Sequence, residues 1–381
     1  MKSTLSLFQV LVTLAMASPH EPRQAIDTSL VDSAPSVTSV SIPIGPTADS
    51  TTYNLSEATE SATESPLPVG TEPATQLELV ARQTACQTNP AGAGPTPNRD
   101  TDSAFLGLRA FARIATQAPT PSGYNVTFVN IHARSVSYGY LGFITVDSYD
   151  TQTCADQCDD VWRGCQGFNI FFERDPSLAP GTGCTNPPST TNIKCIFWGG
   201  LVSVETAINT GQYVADFHVV IAGSNGYMKN AVPTVPGYDG EPTGNDTIDV
   251  PPDDMDPTPT TTTTTTASTS TTSSPTNTAQ GGTYIGSRIF TNTFFDPGLC
   301  AAACDAQNRN NLANPPETGQ PQICRFFTTY LLLRNGRPAG QYCALYTRYY
   351  SRRFATNGGA RIGGDTLSVR HAFSYRNRRA L

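Results

Sequence analysis

Ten cysteines behind a short apolar leader constrain this chain more than any other feature. They are Cys86, Cys154, Cys158, Cys165, Cys184, Cys195, Cys300, Cys304, Cys324 and Cys343. Met1 to Thr4 carries one positive charge, an apolar run follows from Leu5 to Ala15, and Ala15-Met16-Ala17 suits cleavage before Ser18. That is the shape of a signal peptide over residues 1–17. The run is too short to cross a bilayer, which takes ~20 residues. The basic C-terminus, Arg376 to Leu381, lacks the apolar tail of a GPI signal. The expectation is a secreted protein, extracellular or in a cell wall, with no membrane span.

Export makes disulfides the default state of an even cysteine count. Zinc is the rival reading. It would usually draw on Cys-x2-Cys pairs or nearby histidines, whereas the close pairs here are Cys-x3-Cys and the histidines beyond the leader region are His132, His218 and His371. No metal or cofactor is expected. Three sequons, at Asn54, Asn125 and Asn245, can accept N-glycans in the secretory pathway.

Composition divides the rest. Residues 18–83 are rich in Ser, Thr, Pro and Ala with almost no aromatic residue. Such a stretch cannot bury enough apolar surface to offset its ordering entropy, so it reads as a disordered stalk or a propeptide, with a monobasic processing site at Arg82. Residues 236–282, with seven threonines from Thr260 to Thr266, read as a mucin-like linker. Two cysteine-bearing regions remain, 84–235 and 283–381, each of domain size.

These two regions share an order of landmarks. The first holds Tyr140-Leu-Gly142, Asp150, Cys154, Cys158, Cys165-Gln-Gly-Phe168, Cys195-Ile-Phe197 and Phe217-His218. The second holds Tyr284-Ile-Gly286, Asp296, Cys300, Cys304, Cys324-Arg-Phe326, Cys343-Ala-Leu345 and Arg370-His371. Asp150 and Asp296 stand where a helix N-cap belongs, and Pro297 suits the first helical position. Cysteines four apart lie on one helix face. Phe168 to Phe172 and Phe326 to Leu333 are rich in aromatic and branched residues, as strands are. The matched order predicts a duplication, with His218 and His371 at corresponding places on the closing strands.

This pattern resembles the PAN/apple family, in which a helix carrying Cys-x3-Cys packs on an antiparallel sheet. The resemblance implies an α+β fold: two small disulfide-stapled modules, each an antiparallel sheet with one helix, joined by the disordered Thr-rich linker. It implies Cys158–Cys165 and Cys154–Cys195 in the first module, Cys304–Cys324 and Cys300–Cys343 in the second, and Cys86–Cys184 from the remainder. It also implies recognition of protein or carbohydrate. The insert holding Cys184, and the unequal spacing of Cys158–Cys165 and Cys304–Cys324, depart from the family pattern.

Catalytic patterns are missing. There is no His-Glu-x-x-His helix, no Gly-x-Ser-x-Gly elbow and no phosphate-binding glycine loop. The carboxylates at Asp147, Asp150, Asp156, Asp159 and Asp160 read as a helix cap with solvated neighbours. The two histidines read as half-buried structural residues, and the chain is not expected to be an enzyme.

Charge points to a surface. From Tyr284 onward, thirteen arginines against four carboxylates leave +9, so the remainder carries −16 of the total −7. Arg325, Arg348, Arg352, Arg353 and Arg370 are interleaved with Tyr346 and Tyr350. Guanidinium forks suit carboxylate, phosphate or sulfate, and tyrosines can stack on sugar rings. The expected partner is an extracellular glycan or protein, anionic by this argument, and not nucleic acid. The bland alternative is that these arginines are solvated or pair with the chain's own acidic part. The competing roles are a structural cell-wall or matrix glycoprotein and a secreted enzyme of unrecognised type.

Overall fold

The computed structural model describes residues 26–37, 44–46, 49–64, 84–251 and 282–378. The leader, Arg82 and the threonine run lie outside the described residues.

The N-terminal segment contributes α1 (Thr28–Ser33), β1 (Asp49–Ser50) and α2 (Leu55–Thr63). Next come α3 (Asp102–Leu106), α4 (Arg109–Gln117), β2 (Tyr124–Ile131), β3 (Arg134–Ser135), β4 (Tyr140–Val146), α5 (Thr151–Asp160), β5 (Gly167–Pro176), β6 (Ser189–Trp198), β7 (Ala207–Asn209), β8 (Gly211–Val214) and β9 (Phe217–Lys229). The second half adds β10 (Tyr238–Gly244), β11 (Thr247–Ile248), β12 (Tyr284–Phe290), α6 (Pro297–Ala313), β13 (Phe326–Arg334), β14 (Arg337–Tyr346), β15 (Ala355–Asn357), β16 (Gly359–Ile362) and β17 (Asp365–Asn377).

One antiparallel sheet runs β1-β4-β6-β5-β9-β2, with β8 paired to β9. The other runs β12-β14-β13-β17-β10, with β16 paired to β17. The second sheet thus repeats the strand order of the first. Small ladders β3–β7 and β11–β15 repeat as well.

Local chemistry explains the helices. The Asp150 carboxylate accepts from the Gln152 and Thr153 amides, and the Asp296 carboxylate accepts from the Gly298 amide, with Pro297 opening α6. Five disulfides are present: Cys86–Cys184, Cys154–Cys195, Cys158–Cys165, Cys300–Cys343 and Cys304–Cys324. Cys154 and Cys300 pin α5 and α6 to the central strands β6 and β14. Cys158 and Cys304 tie the same helices to the entries of β5 and β13. Every residue of β5 is buried, the apolar Phe168 to Phe172 stretch and the charged Glu173-Arg174-Asp175 end alike.

Four expectations are corrected. The molecule is mostly β, with 40% strand against 20% helix among the described residues, and not a pair of α+β modules with one helix each. Nor are the halves two small modules held apart by a linker. Tyr138 of the first half is buried in the core formed by α6, Phe327 and Phe373, and Phe294 of the second half packs into the core of the first. The Tyr138 hydroxyl donates to the Phe290 carbonyl at 2.9 Å, and the Phe295 amide donates to the Gly199 carbonyl at 2.7 Å. Approach is this close because Gly199 has no side chain: a Cβ there would lie 2.2 Å from the Phe294 Cβ.

Finally, the second copy begins earlier in the chain than the cysteines suggest. Tyr124 meets Phe168 edge-on at 5.3 Å and donates to Asp159 at 2.9 Å. Tyr238 meets Phe327 edge-on at 5.1 Å and donates to Asp305 at 3.2 Å. Phe168 stacks on Tyr227 at 5.0 Å as Phe327 stacks on Tyr375 at 4.9 Å. Tyr238 therefore corresponds to Tyr124, and the Thr-rich stretch is an insertion between β11 and β12, inside the second copy. The same superposition of registers sets His371 (φ +50°) opposite Gly223 (φ +57°), each at a bulge in the long closing strand. His218 and His371 are not equivalent. His218 pairs with Tyr213 at the start of β9.

Candidate functional site

The end of the second sheet carries the arginine surface. Arg325 leads into β13; its amide donates to the Tyr346 carbonyl at 2.9 Å and its carbonyl accepts from the Asn377 amide at 2.9 Å. Its side chain is exposed, as are those of Arg348, Arg352, Arg353 and Arg376. Arg352 and Arg353 lie on a single 3-10 turn, Arg352–Phe354. The Arg353 guanidinium covers the Phe354 ring at 4.7 Å, and that of Arg376 covers the Tyr349 ring at 5.2 Å. Between them a row of rings runs Phe354, Tyr350, Phe326, Tyr349, with centroid separations of 5.8, 6.3 and 5.3 Å. The rings fix where the two outer guanidinium groups sit. A cation over a ring face contributes about 0.5–1 kcal/mol at exposed sites, enough to bias a long side chain towards one place.

Two of the expected ligand residues fall out. Tyr346 and Tyr350 are only 1% and 2% exposed; they are the core under this surface and cannot stack on a sugar. Tyr349, 39% exposed, is the ring that faces solvent. Arg370 also leaves the group: it sits on β17 at the junction of the halves, 3.4 Å from Glu205. Other arginines pair with the chain's own acids, Arg334 with Asp365 and Asp32 and Arg378 with Asp239. Among the described residues no carboxylate lies within salt-bridge distance of Arg352, Arg353 or Arg376. Arg376 escaped the sequence reading because it belongs to this surface only through its register opposite Phe326.

A second polar group lies buried in the first sheet. Lys194 on β6 pairs with Glu173 and, at 3.5 Å, with Asp175, both on β5. Asp175 also accepts from Asn192 at 2.6 Å and from the Gly45 amide at 3.1 Å. Arg134 is only 3% exposed, and its Nε and Nη1 have no hydrogen-bond partner among the described residues. Burial, with Asp175 adding to it, raises the Glu173 carboxyl to about 7. Burial likewise lowers Arg134. The chain pattern gives no sign of burial for these residues: Glu173-Arg174-Asp175 is a run of three charges at the end of β5, which reads as a solvated strand end. The fold does not require them: the corresponding positions in the second copy are Tyr342, Leu332, Arg334 and Thr247.

The histidines differ in kind. His218 Nδ1 lies 2.7 Å from Asp102, and its ring stacks on Tyr213 at 4.1 Å. The hydrogen bond from His218 holds the Asp102 carboxyl below its usual range. No hydroxyl or thiol among the described residues hydrogen-bonds to His218. His371 is wedged against Phe295 and Phe373, and burial lowers it to about 4. The acidic cluster is spent locally: Asp150 caps α5, Asp156 accepts from Gln152, and Asp159 pairs with Lys229 at 2.8 Å. Asn54, Asn125 and Asn245 are all exposed, and Asn54 caps α2 through its side-chain oxygen. Among the described residues no three His, Cys, Asp or Glu side chains are grouped to hold a metal ion, and no helix is long and apolar enough to cross a membrane. No family model matches the chain, and neither a curated protein nor a solved structure matches it.

Proposed function

We propose that this chain is a secreted, non-enzymatic recognition glycoprotein that binds anionic glycan or acidic protein at the arginine surface of its second sheet. The observation that carries the reading is the exposed group of Arg352, Arg353 and Arg376, two of them held over Phe354 and Tyr349, with no carboxylate among the described residues within salt-bridge distance of the three. A planar fork beside an exposed ring offers an anionic sugar both a bidentate partner and a stacking face. Five disulfides suit an oxidising extracellular compartment. The exposed sequon asparagines leave room for glycans. The cysteine landmarks of each copy resemble those of the PAN/apple family, and recognition of protein or carbohydrate is what that resemblance implies.

Binding of the full chain to an array of neutral, uronic-acid and sulfated glycans tests the reading. Retention on the acidic glycans alone is expected. Equal retention on neutral ones, or turnover of any of them, would overturn it.

A further inference from the structure

The described parts of the N-terminal segment touch both sheets at matching points. In the first copy the Gly45 amide donates to Asp175. In the second, Asp32 pairs with Arg334 at 2.8 Å, and Arg334 is the counterpart of Asp175. Around that second point the sheet is lined with tyrosines. Tyr284, Tyr330, Tyr342 and Tyr346 border a cleft with about 10 Å³ of free volume, room for roughly one water, closed by Ile26 and Ile248.

The occupant of this face is short. Helix α1 has six residues, far below the ~12–15 at which an isolated helix becomes marginal in water. It is held by its surroundings. Ile26, Leu30 and Val31 are buried among Tyr330, Tyr342 and Ala344. The Asp27 amide donates to the Tyr342 hydroxyl at 3.1 Å, and the Asp27 carboxylate accepts from the Leu30 amide. Asp32 supplies the charge for Arg334. The copies show how the groove arises. Where the second copy has Ala344 and Tyr342, the first has Ile196 and Lys194. The smaller Ala344 opens space, and the Tyr342 hydroxyl offers a hydrogen bond in place of a buried ion pair.

We propose that the tyrosine-lined face of the second sheet is a binding groove for a short helical peptide of the pattern Ile-Asp-x-x-Leu-Val-Asp, and that residues 26–32 of this chain fill it in cis. The inference does not rest on the arginine surface. Three apolar side chains enter the groove and two polar contacts fix their register, so specificity comes from the pattern and not from general stickiness. A segment so brief, joined to the sheet by a few side-chain contacts and the hydrogen bond from the Asp27 amide, exchanges with an identical segment supplied in trans.

The test uses the full chain carrying Ile26→Asp and Leu30→Asp, and a fluorescent peptide of residues 24–36. The peptide is expected to bind this variant at least tenfold more tightly than the unaltered chain, whose own segment competes. A peptide with Leu30→Asp should not bind. Absence of binding to the variant, or equal binding to both proteins, overturns the proposal. Should the double variant misfold, Asp32→Ala in the unaltered chain decides. Amide exchange at Val31 and Ala34 should then quicken at least threefold while β13 and β14 hold their rates. Unchanged exchange at Val31 and Ala34 overturns the proposal.

Discussion

The Tyr138 hydroxyl of the first copy donates to the Phe290 carbonyl of the second at 2.9 Å, inside the second copy's core. Phe294 makes the reverse journey into the first core. Cores that exchange large side chains cannot melt one at a time. Phe294→Ala should cost about 3–5 kcal/mol. Gly199→Ala, which sets a methyl against Phe294, should cost about 1–3 kcal/mol. Urea denaturation followed by near-UV and far-UV signals should give one coincident transition in each case. Two separated transitions would show that the copies fold independently.

The buried Lys194 holds two carboxylates. Lys194→Met leaves Glu173 and Asp175 with the nearby Arg134 as their remaining positive charge, and breaking a buried pair in this way costs about 3–5 kcal/mol. The loss should be read at pH 7 by urea denaturation, and Glu173→Gln in the same background should recover part of it. A Lys194→Met chain as stable as the unaltered one would mean that the cluster is solvated.

Two groups give opposite pH dependences in nearly one window. Glu173 is raised from 4.5 to about 7 in the folded state, so its contribution is present below pH 4.5 and is lost as pH rises towards 7. His371 is lowered from 6.5 to about 4, so its contribution is present above pH 6.5 and is lost as pH falls towards 4. Unfolding free energy measured from pH 4 to 7 should therefore rise more steeply with pH in Glu173→Gln than in the unaltered chain. It should rise less steeply, or fall, in His371→Gly, which restores the residue that the first copy has at Gly223. Parallel profiles would refute both assignments.

The disulfides differ in what they hold. Cys154–Cys195 closes a span of 41 residues, which the chain-entropy model rates at about 4 kcal/mol; Cys158–Cys165 closes 7, about 2.5 kcal/mol. Replacing both cysteines of a pair by alanine should reproduce that order in thermal melts. The opposite order would show that native packing, and not loop closure, sets their worth.

Helix caps and cysteine spacing were legible because they are local: Asp150, Asp296, Pro297 and the Cys-x3-Cys pairs act within one turn of chain. The strands around Phe168 and Phe326 were legible because they are apolar on both faces. Three other features were hidden. Strand β10 reads Tyr-Asp-Gly-Glu-Pro-Thr-Gly, without apolar alternation, and Tyr238 is its one buried apolar side chain, so the start of the second copy was invisible. Ile26, Leu30 and Val31 are a helical triad diluted in a Ser/Thr/Pro stretch. Tyr346, Tyr349 and Tyr350 lie within five residues of one another, yet only Tyr349 faces solvent. A strand end and a turn decide that, and residue type does not. Arg376 joined the surface through pairing across the sheet, which no spacing along the chain announces.

The most direct measurement of the central claim is the binding of a sulfated or uronic-acid polysaccharide to the full chain at two salt concentrations, with and without Arg352→Ala plus Arg353→Ala. Exposed charge pairs are screened within about 8 Å at 0.15 M salt. The unaltered chain should thus bind several-fold more weakly at 0.5 M than at 0.05 M, and the double variant should lose at least tenfold at low salt while keeping its melting temperature. Binding indifferent to salt and to both arginines would contradict the account.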